Sequence, residues 1–326
     1  MVKRVPTPGI DMVGRWMGNL AVRIEMIKLG AGREFKLTRW RHDPLSEDNP
    51  WRPYGVRHQT VEHSDVLLGW LSAMESKPTD TVTVHMGTNV LDGDLSERPR
   101  IVDQINQKSV RDDWRVTWTR LFDEGHTSLA SKSLVWDIDD PEDLETAFET
   151  ADAIAAELSK HVSMPEQAPR VVFSGGKGFH VWVVDESAIK HLCQSLVGAD
   201  VESMTPKNRA AAHREVVKEI SRRATGREIP HLDQAPNHRQ GIIRCPYAVH
   251  ERSGQIVWPL DIGELERLRE GDGIDWSSPV ALAKSIHPWE IPVQSPMAES
   301  LGVESTWIHP EANVKDRGMP AWGFSE

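Results

Sequence analysis

The stretch that most constrains this chain is Ser133 to Asp139, S-L-V-W-D-I-D. Side chains along a strand alternate between faces. Leu134, Trp136 and Ile138 then point one way, and Val135, Asp137 and Asp139 the other. Two carboxylates thus stand together at the end of an otherwise apolar strand. Like charges at that separation repel, and burying either is costly without a counter-ion. A divalent cation would resolve both problems. In isolation the pair is more simply a solvated strand end, with Asp140 capping the next helix, because so short a motif often arises by chance.

Composition narrows the classes. The chain has 326 residues, 39% hydrophobic and 27% charged, which suits a soluble globular protein of one large domain or two modest ones. No apolar run is long enough to span a bilayer, and no apolar signal segment opens the chain, so a cytoplasmic location is expected. Cys193 and Cys245 are far apart, which excludes a disulfide framework or a CxxC knuckle and fits a reducing compartment. The net charge of -11 argues against indiscriminate nucleic-acid binding. Arg outnumbers Lys, and Arg is the better phosphate clamp.

The order of elements follows from punctuation and period. Leu20 to Lys28 reads as helix or strand, Gly32 to Leu37 as a strand, Ser64 to Met74 as a helix, and Thr81 to His85 as a strand. Asp140 suits an N-cap and Pro141 the first turn of a helix running to about Lys160. Arg170–Phe173 and Phe179–Val184 read as strands around a tight loop. Ser187 opens a helix to Val197, and Thr205-Pro206 opens one to Ala224, closed by Gly226. The latter carries Lys207, Arg209, Arg214, Lys218, Arg222 and Arg223, more simply a solvated face than a nucleic-acid track. The expected division is one catalytic domain over residues 1–290, with a helical insertion at about 186–226 and a tail over 291–326.

Two further features join the aspartate pair. Ser174-Gly175-Gly176-Lys177-Gly178 lies between strands, and its glycines let backbone N–H groups approach an anion closely. Ser174, Lys177 and His180 add side-chain donors. The spacing is not that of a P-loop, and the three clustered donors favour an anion-binding loop over an ordinary hairpin turn. From Asp233 to Gly254 the chain offers a third carboxylate, Asp233, and a second anion-binding wall of Arg244, His250 and Arg252. Each has a bland explanation singly. Together, a carboxylate trio and two anion-binding loops are what two-metal phosphoryl transfer requires.

These residues resemble the catalytic (small) subunit of archaeo-eukaryotic DNA primases. The resemblance covers about Arg33 to Ile286 and is dense at four places: Arg33-Glu34-Phe35, Val135 to Asp139, Ser174 to His180, and Ile243 to Gly254. It implies an α+β fold, a primase core with an RRM-like antiparallel sheet flanked by helices. It implies that Asp137, Asp139 and Asp233 bind two Mg²⁺ or Mn²⁺ ions. Ser174, Gly175, Gly176, Lys177, Gly178, His180, Arg244, His250 and Arg252 would hold the phosphates of an incoming nucleotide, with Glu34 nearby. The family's Ser, Lys, and His or Arg are here Ala248, Arg252 and Gly241. Residues 140–169 contain no cysteine, so no structural zinc is expected.

The implied activity is template-dependent synthesis of short RNA or DNA primers at the replication fork, on single-stranded DNA from NTPs or dNTPs, with a primase large subunit as partner. The alternatives are a primer-extending repair polymerase of the same superfamily and a non-catalytic nucleotide- or nucleic-acid-binding subunit.

Overall fold

The structure is a computed structural model that describes residues 16, 20–30, 32–42, 51–59, 81–92, 128–140, 143–162, 164, 167–250, 253 and 255–271. The helix expected over 64–74, the tail from 291 and Arg252 lie outside the described residues.

The aspartate strand sits inside an antiparallel sheet. It is β5 (Leu134–Asp139), and its neighbours are β6 (Arg170–Phe173), β7 (Gly178–Val183), β8 (Leu232–Asp233) and β10 (Trp258–Pro259). The spatial order is β10-β6-β7-β5-β8, with every pairing antiparallel. The helices α2 (Leu144–Ser159) and α4 (Pro206–Thr225) pack on β5. Trp136 is fully buried there and donates its indole N–H to the Val217 carbonyl of α4 at 3.0 Å. On β7, Phe179 meets Phe148 of α2 edge-on at 5.5 Å. Burial of each such large side chain contributes on the order of 2 kcal/mol or more. The alternation read from the sequence therefore sends Trp136 to the helices and leaves the faces of Asp137 and His180 to the site.

A second sheet contains β1 (Arg33–His42), β2 (Trp51–Gln59), β3 (Thr81–Asp92), β4 (Ser128–Lys132) and β9 (Ile242–Arg244). One edge of β3 pairs with β1. The other is divided between β9, opposite His85 to Gly87, and β4, opposite Asn89 to Asp92. The α1 helix (Leu20–Gly30) resolves the helix-or-strand ambiguity of that segment. Between β7 and β8 lie α3 (Glu186–Val197) and α4, and α5 (Ile262–Arg269) follows β10.

Two helix starts differ from expectation. Asp143, not Asp140, caps α2 and accepts from Glu145 N–H. The Asp140 carboxylate is occupied instead by Asp143 N–H at 3.1 Å, and its own N–H bonds the Lys177 carbonyl at 3.0 Å. Asp185, not Ser187, caps α3, accepting from Ala188 N–H. Thr205 caps α4 and Gly226 ends it in the left-handed region, as the sequence indicates. On α4, Lys218 pairs with Glu215 while Arg222 and Arg223 pair with Glu219, the solvated-face arrangement.

The two sheets are joined at a buried polar seam. Arg33 donates to the carbonyls of Gly87 and Thr88 and to Ser133 Oγ. Lys132 donates to Thr88 Oγ1 at 2.5 Å, Asn89 Oδ1 at 3.3 Å and the Pro236 carbonyl at 3.1 Å. These acceptors are neutral, so burial, with the charges of Arg33 and Arg214, pushes the Lys132 amine down to about 7. The unfolded chain holds that proton up to its ordinary value. Stability from this group is therefore withheld below about pH 7 and gained as pH rises above it. Between about pH 7.5 and pH 8.5, urea unfolding should show the free energy rising by about 1 kcal/mol. Lys132→Met should flatten that rise, and an unchanged slope in the variant would contradict the assignment.

Candidate active site

Strand register brings the three aspartates together. On β5, Asp137 lies opposite His180 of β7 on one side and Asp233 of β8 on the other. Asp139 lies opposite Gly178. Directly opposed residues in an antiparallel pair have Cβ atoms about 5 Å apart. Residue 233, distant in sequence, is thus a nearest neighbour of residue 137. Its carboxylate also accepts from Ala235 N–H at 2.8 Å, turning the chain away after two paired residues.

The charges are unbalanced. Burial, then Asp139, then Asp233 raise the Asp137 carboxyl to about 7, while Arg244 and Lys177 pull in the opposite sense. His180 Nε2 lies 3.4 Å from Asp137 Oδ1. That contact is not an ion pair: burial, then Arg244 and His250, hold the imidazole down to about 3. His180 is therefore neutral, and its buried Nδ1 has no partner among the described residues. Lys177 Nζ lies 2.8 Å from Asp139 Oδ2, with Lys177 exposed and Asp139 partly so, and water screens the pair.

Close approach explains the glycines. A Cβ on Gly178 would stand 1.9 Å from the Ile138 carbonyl, so only glycine lets β7 pair with β5 here. Gly175 has φ +78, and a Cβ on Gly176 would lie 2.8 Å from His250 Nε2. The loop thus rests on the His250 ring. Ser253 secures the contact twice: its hydroxyl donates to the Gly175 carbonyl and its N–H donates to His250 Nδ1 at 3.2 Å. Ser174 Oγ in turn accepts from Gly176 N–H at 3.4 Å. The structure therefore gathers Asp137, Asp139, Asp233, the 174–178 loop, His180, Arg244 and His250.

Glu34 is placed differently. It is buried in β1 beside Gly87, in the sheet that also carries Arg244 on β9.

Two supporting residues escaped the sequence reading. Asn237, fully buried, hydrogen-bonds both backbone groups of Val135, and Ser253 pins the glycine loop. Asn237 had no sequence signal beyond lying four residues after Asp233, whereas Ser253 lies within the Ile243 to Gly254 run that carries the resemblance.

The family described as "LigD, primase-polymerase domain" matches residues 109–289, more than half of the chain. The chain belongs to that family. The resemblance to replicative small subunits thus reached the right superfamily, and the matched branch is that of ligase D. Primase-polymerase domains are nucleotidyltransferases, and that is the enzyme class here. Among solved structures, the polymerase domain of Mycobacterium tuberculosis ligase D in complex with DNA is 13% identical, over 78% of this chain and 82% of that one, with a TM-score of 0.46. No curated protein matches the sequence. No helix among the described residues is long and apolar enough to cross a membrane.

Polymerases of this superfamily use divalent metals. Among the described residues no three acidic, His or Cys side chains are already drawn into a ligand cluster. The donor chemistry nonetheless fits: three carboxylates offer only hard oxygen ligands, the set preferred by Mg²⁺ and Mn²⁺. In the metal-free protein the facing Asp137 and Asp233 repel. Asp233→Asn keeps an acceptor for Ala235 N–H and removes one charge. Above about pH 7, where Asp137 is ionised, it should raise the unfolding free energy of metal-free protein by about 0.5–1 kcal/mol in thermal or urea melts. A loss of stability would contradict the repulsion.

Proposed function

We propose that the chain is a template-directed polymerase that extends a primer annealed to DNA, as a repair polymerase does. Attack of the primer 3′-hydroxyl on the α-phosphate of an incoming nucleotide would lengthen the primer and release pyrophosphate. The observation that carries the reading is membership of the ligase D family over a stretch that includes all three aspartates and both candidate anion-binding segments.

Each residue has a role suited to its position. Asp137, Asp139 and Asp233 would hold two Mg²⁺ or Mn²⁺ ions. When bound, such ions stabilise charge on the attacking and leaving oxygens. The 174–178 loop, which packs Gly175 and Gly176 against His250, would lie along the triphosphate, with the Gly176 N–H exchanging Ser174 Oγ for a phosphate oxygen. Lys177 sits on Asp139 through a screened contact and is free to exchange that partner for phosphate. Arg244 supplies positive charge felt by both Asp137 and His180 and would pair with a phosphate beside them. His180, neutral, contributes an orienting N–H rather than charge. His250 and Arg252 would complete the phosphate wall, and Glu34 would act from the neighbouring sheet.

The second reading is a primase that starts chains without a primer, favoured by the run from Ile243 to Gly254. A large-subunit partner belongs to that reading. The two separate in one assay, with Mn²⁺, single-stranded DNA and either NTPs or dNTPs, with and without a preannealed primer. Extension is expected only with the primer, and Asp137→Ala should lower it by at least about a thousandfold. Primer-free oligomers at a comparable rate would favour the primase. Undiminished synthesis by Asp137→Ala would refute both.

A further inference from the structure

We propose that Asn237 is a positioning residue that holds the third carboxylate, Asp233, against Asp137. The inference rests on the reading of the three aspartates as metal ligands and adds the device that assembles them.

The argument starts from register. Strand β8 has only two residues, and their pairing places Asp233 opposite Asp137 and Leu232 opposite Ile138. Continued in register, Val135 would face residue 235. Ala235 has already left the ladder, in a 3-10 turn over Ala235–Asn237, with its N–H on the Asp233 carboxylate. Val135 would then keep two unpaired, buried backbone groups, each costing about 1–3 kcal/mol. The Asn237 carboxamide supplies both bonds. Its Oδ1 accepts from Val135 N–H at 3.1 Å, and its Nδ2 donates to the Val135 carbonyl at 2.5 Å. One side chain thus extends the ladder just where the main chain abandons it.

The turn is gripped from the other sheet as well. The Pro236 carbonyl accepts from Thr88 Oγ1 at 2.7 Å and from Lys132 Nζ at 3.1 Å. Asn89 Nδ2 donates to the Arg239 carbonyl at 2.9 Å. A two-residue strand is a weak tether for a carboxylate placed opposite another of like charge. The turn that follows supplies the restraint, and Asn237 makes its direct link to the aspartate strand.

The test is Mn²⁺ affinity, measured by electron paramagnetic resonance on folded protein. The set is wild type, Asn237→Ala, Asp233→Asn and the double variant, with Ile154→Val on α2 as a control for destabilisation away from the site. Asn237→Ala should weaken Mn²⁺ binding by about tenfold, as expected for losing two neutral hydrogen bonds. It should lower kcat for primer extension more than it raises KM for primer-template. In the Asp233→Asn background the same change should have little further effect on Mn²⁺, because the residue acts through Asp233. Ile154→Val should leave the affinity unchanged. If Asn237→Ala does not fold, Thr88→Val, nearly isosteric, should give a smaller loss of the same kind. Equal Mn²⁺ affinity in wild type and Asn237→Ala, or an undiminished effect without Asp233, overturns the inference alone. Absence of Mn²⁺ binding by wild type overturns the reading of the site as well.

Discussion

Two aspartates facing each other across adjacent strands are an arrangement that folding by itself disfavours. Asp137 and Asp233 meet in this way, with Asp139 two residues along the same strand and face. Burial and the two neighbouring carboxylates keep the Asp137 proton far above its ordinary range. A chain that carries this cost gains something for which concentrated oxygen ligands are needed. The rest of the structure reads as support for it. An apolar face of Trp136, Phe179 and their helix contacts anchors the central strands, and a buried polar seam fixes the second sheet beside them.

The support is directional. The sheet surface facing the helices is dry and aromatic, so the strands cannot slip register without burying charge. That one restraint sets Asp137, Asp139 and His180 together. The glycines of the 174–178 loop then permit approaches that any side chain would block, at the Ile138 carbonyl and at the His250 ring. Cationic side chains offset the carboxylates from two separate segments: Lys177 from the loop and Arg244 from β9.

What the sequence disclosed was whatever a local pattern encodes. The D-x-D alternation, the S-G-G-K-G loop and the α4 caps at Thr205 and Gly226 were legible from residue type and spacing, and the α+β class came through the family resemblance. The start of α2 was misplaced because Asp140 and Asp143 are equally good caps by type. Only the tertiary bond from Asp140 N–H to Lys177 decides between them. Convergence of Asp233 on Asp137 was anticipated by the motif resemblance, yet no local signal gives the strand pairing that achieves it. Asn237 and Lys132 were invisible for the same reason: their partners, Val135 and Pro236, lie about a hundred residues away. The resemblance itself found the superfamily through short motifs that its branches share. Assignment to the ligase D branch needed the whole stretch from 109 to 289.

The central claim is that the three carboxylates form one divalent-metal site. The most direct measurement is anomalous diffraction at the manganese edge from crystals grown with Mn²⁺ and a non-hydrolysable nucleoside triphosphate. The account predicts manganese peaks bounded by the carboxyl oxygens of residues 137, 139 and 233. Ordered manganese elsewhere, with these three side chains turned to solvent or to protein cations, would contradict it.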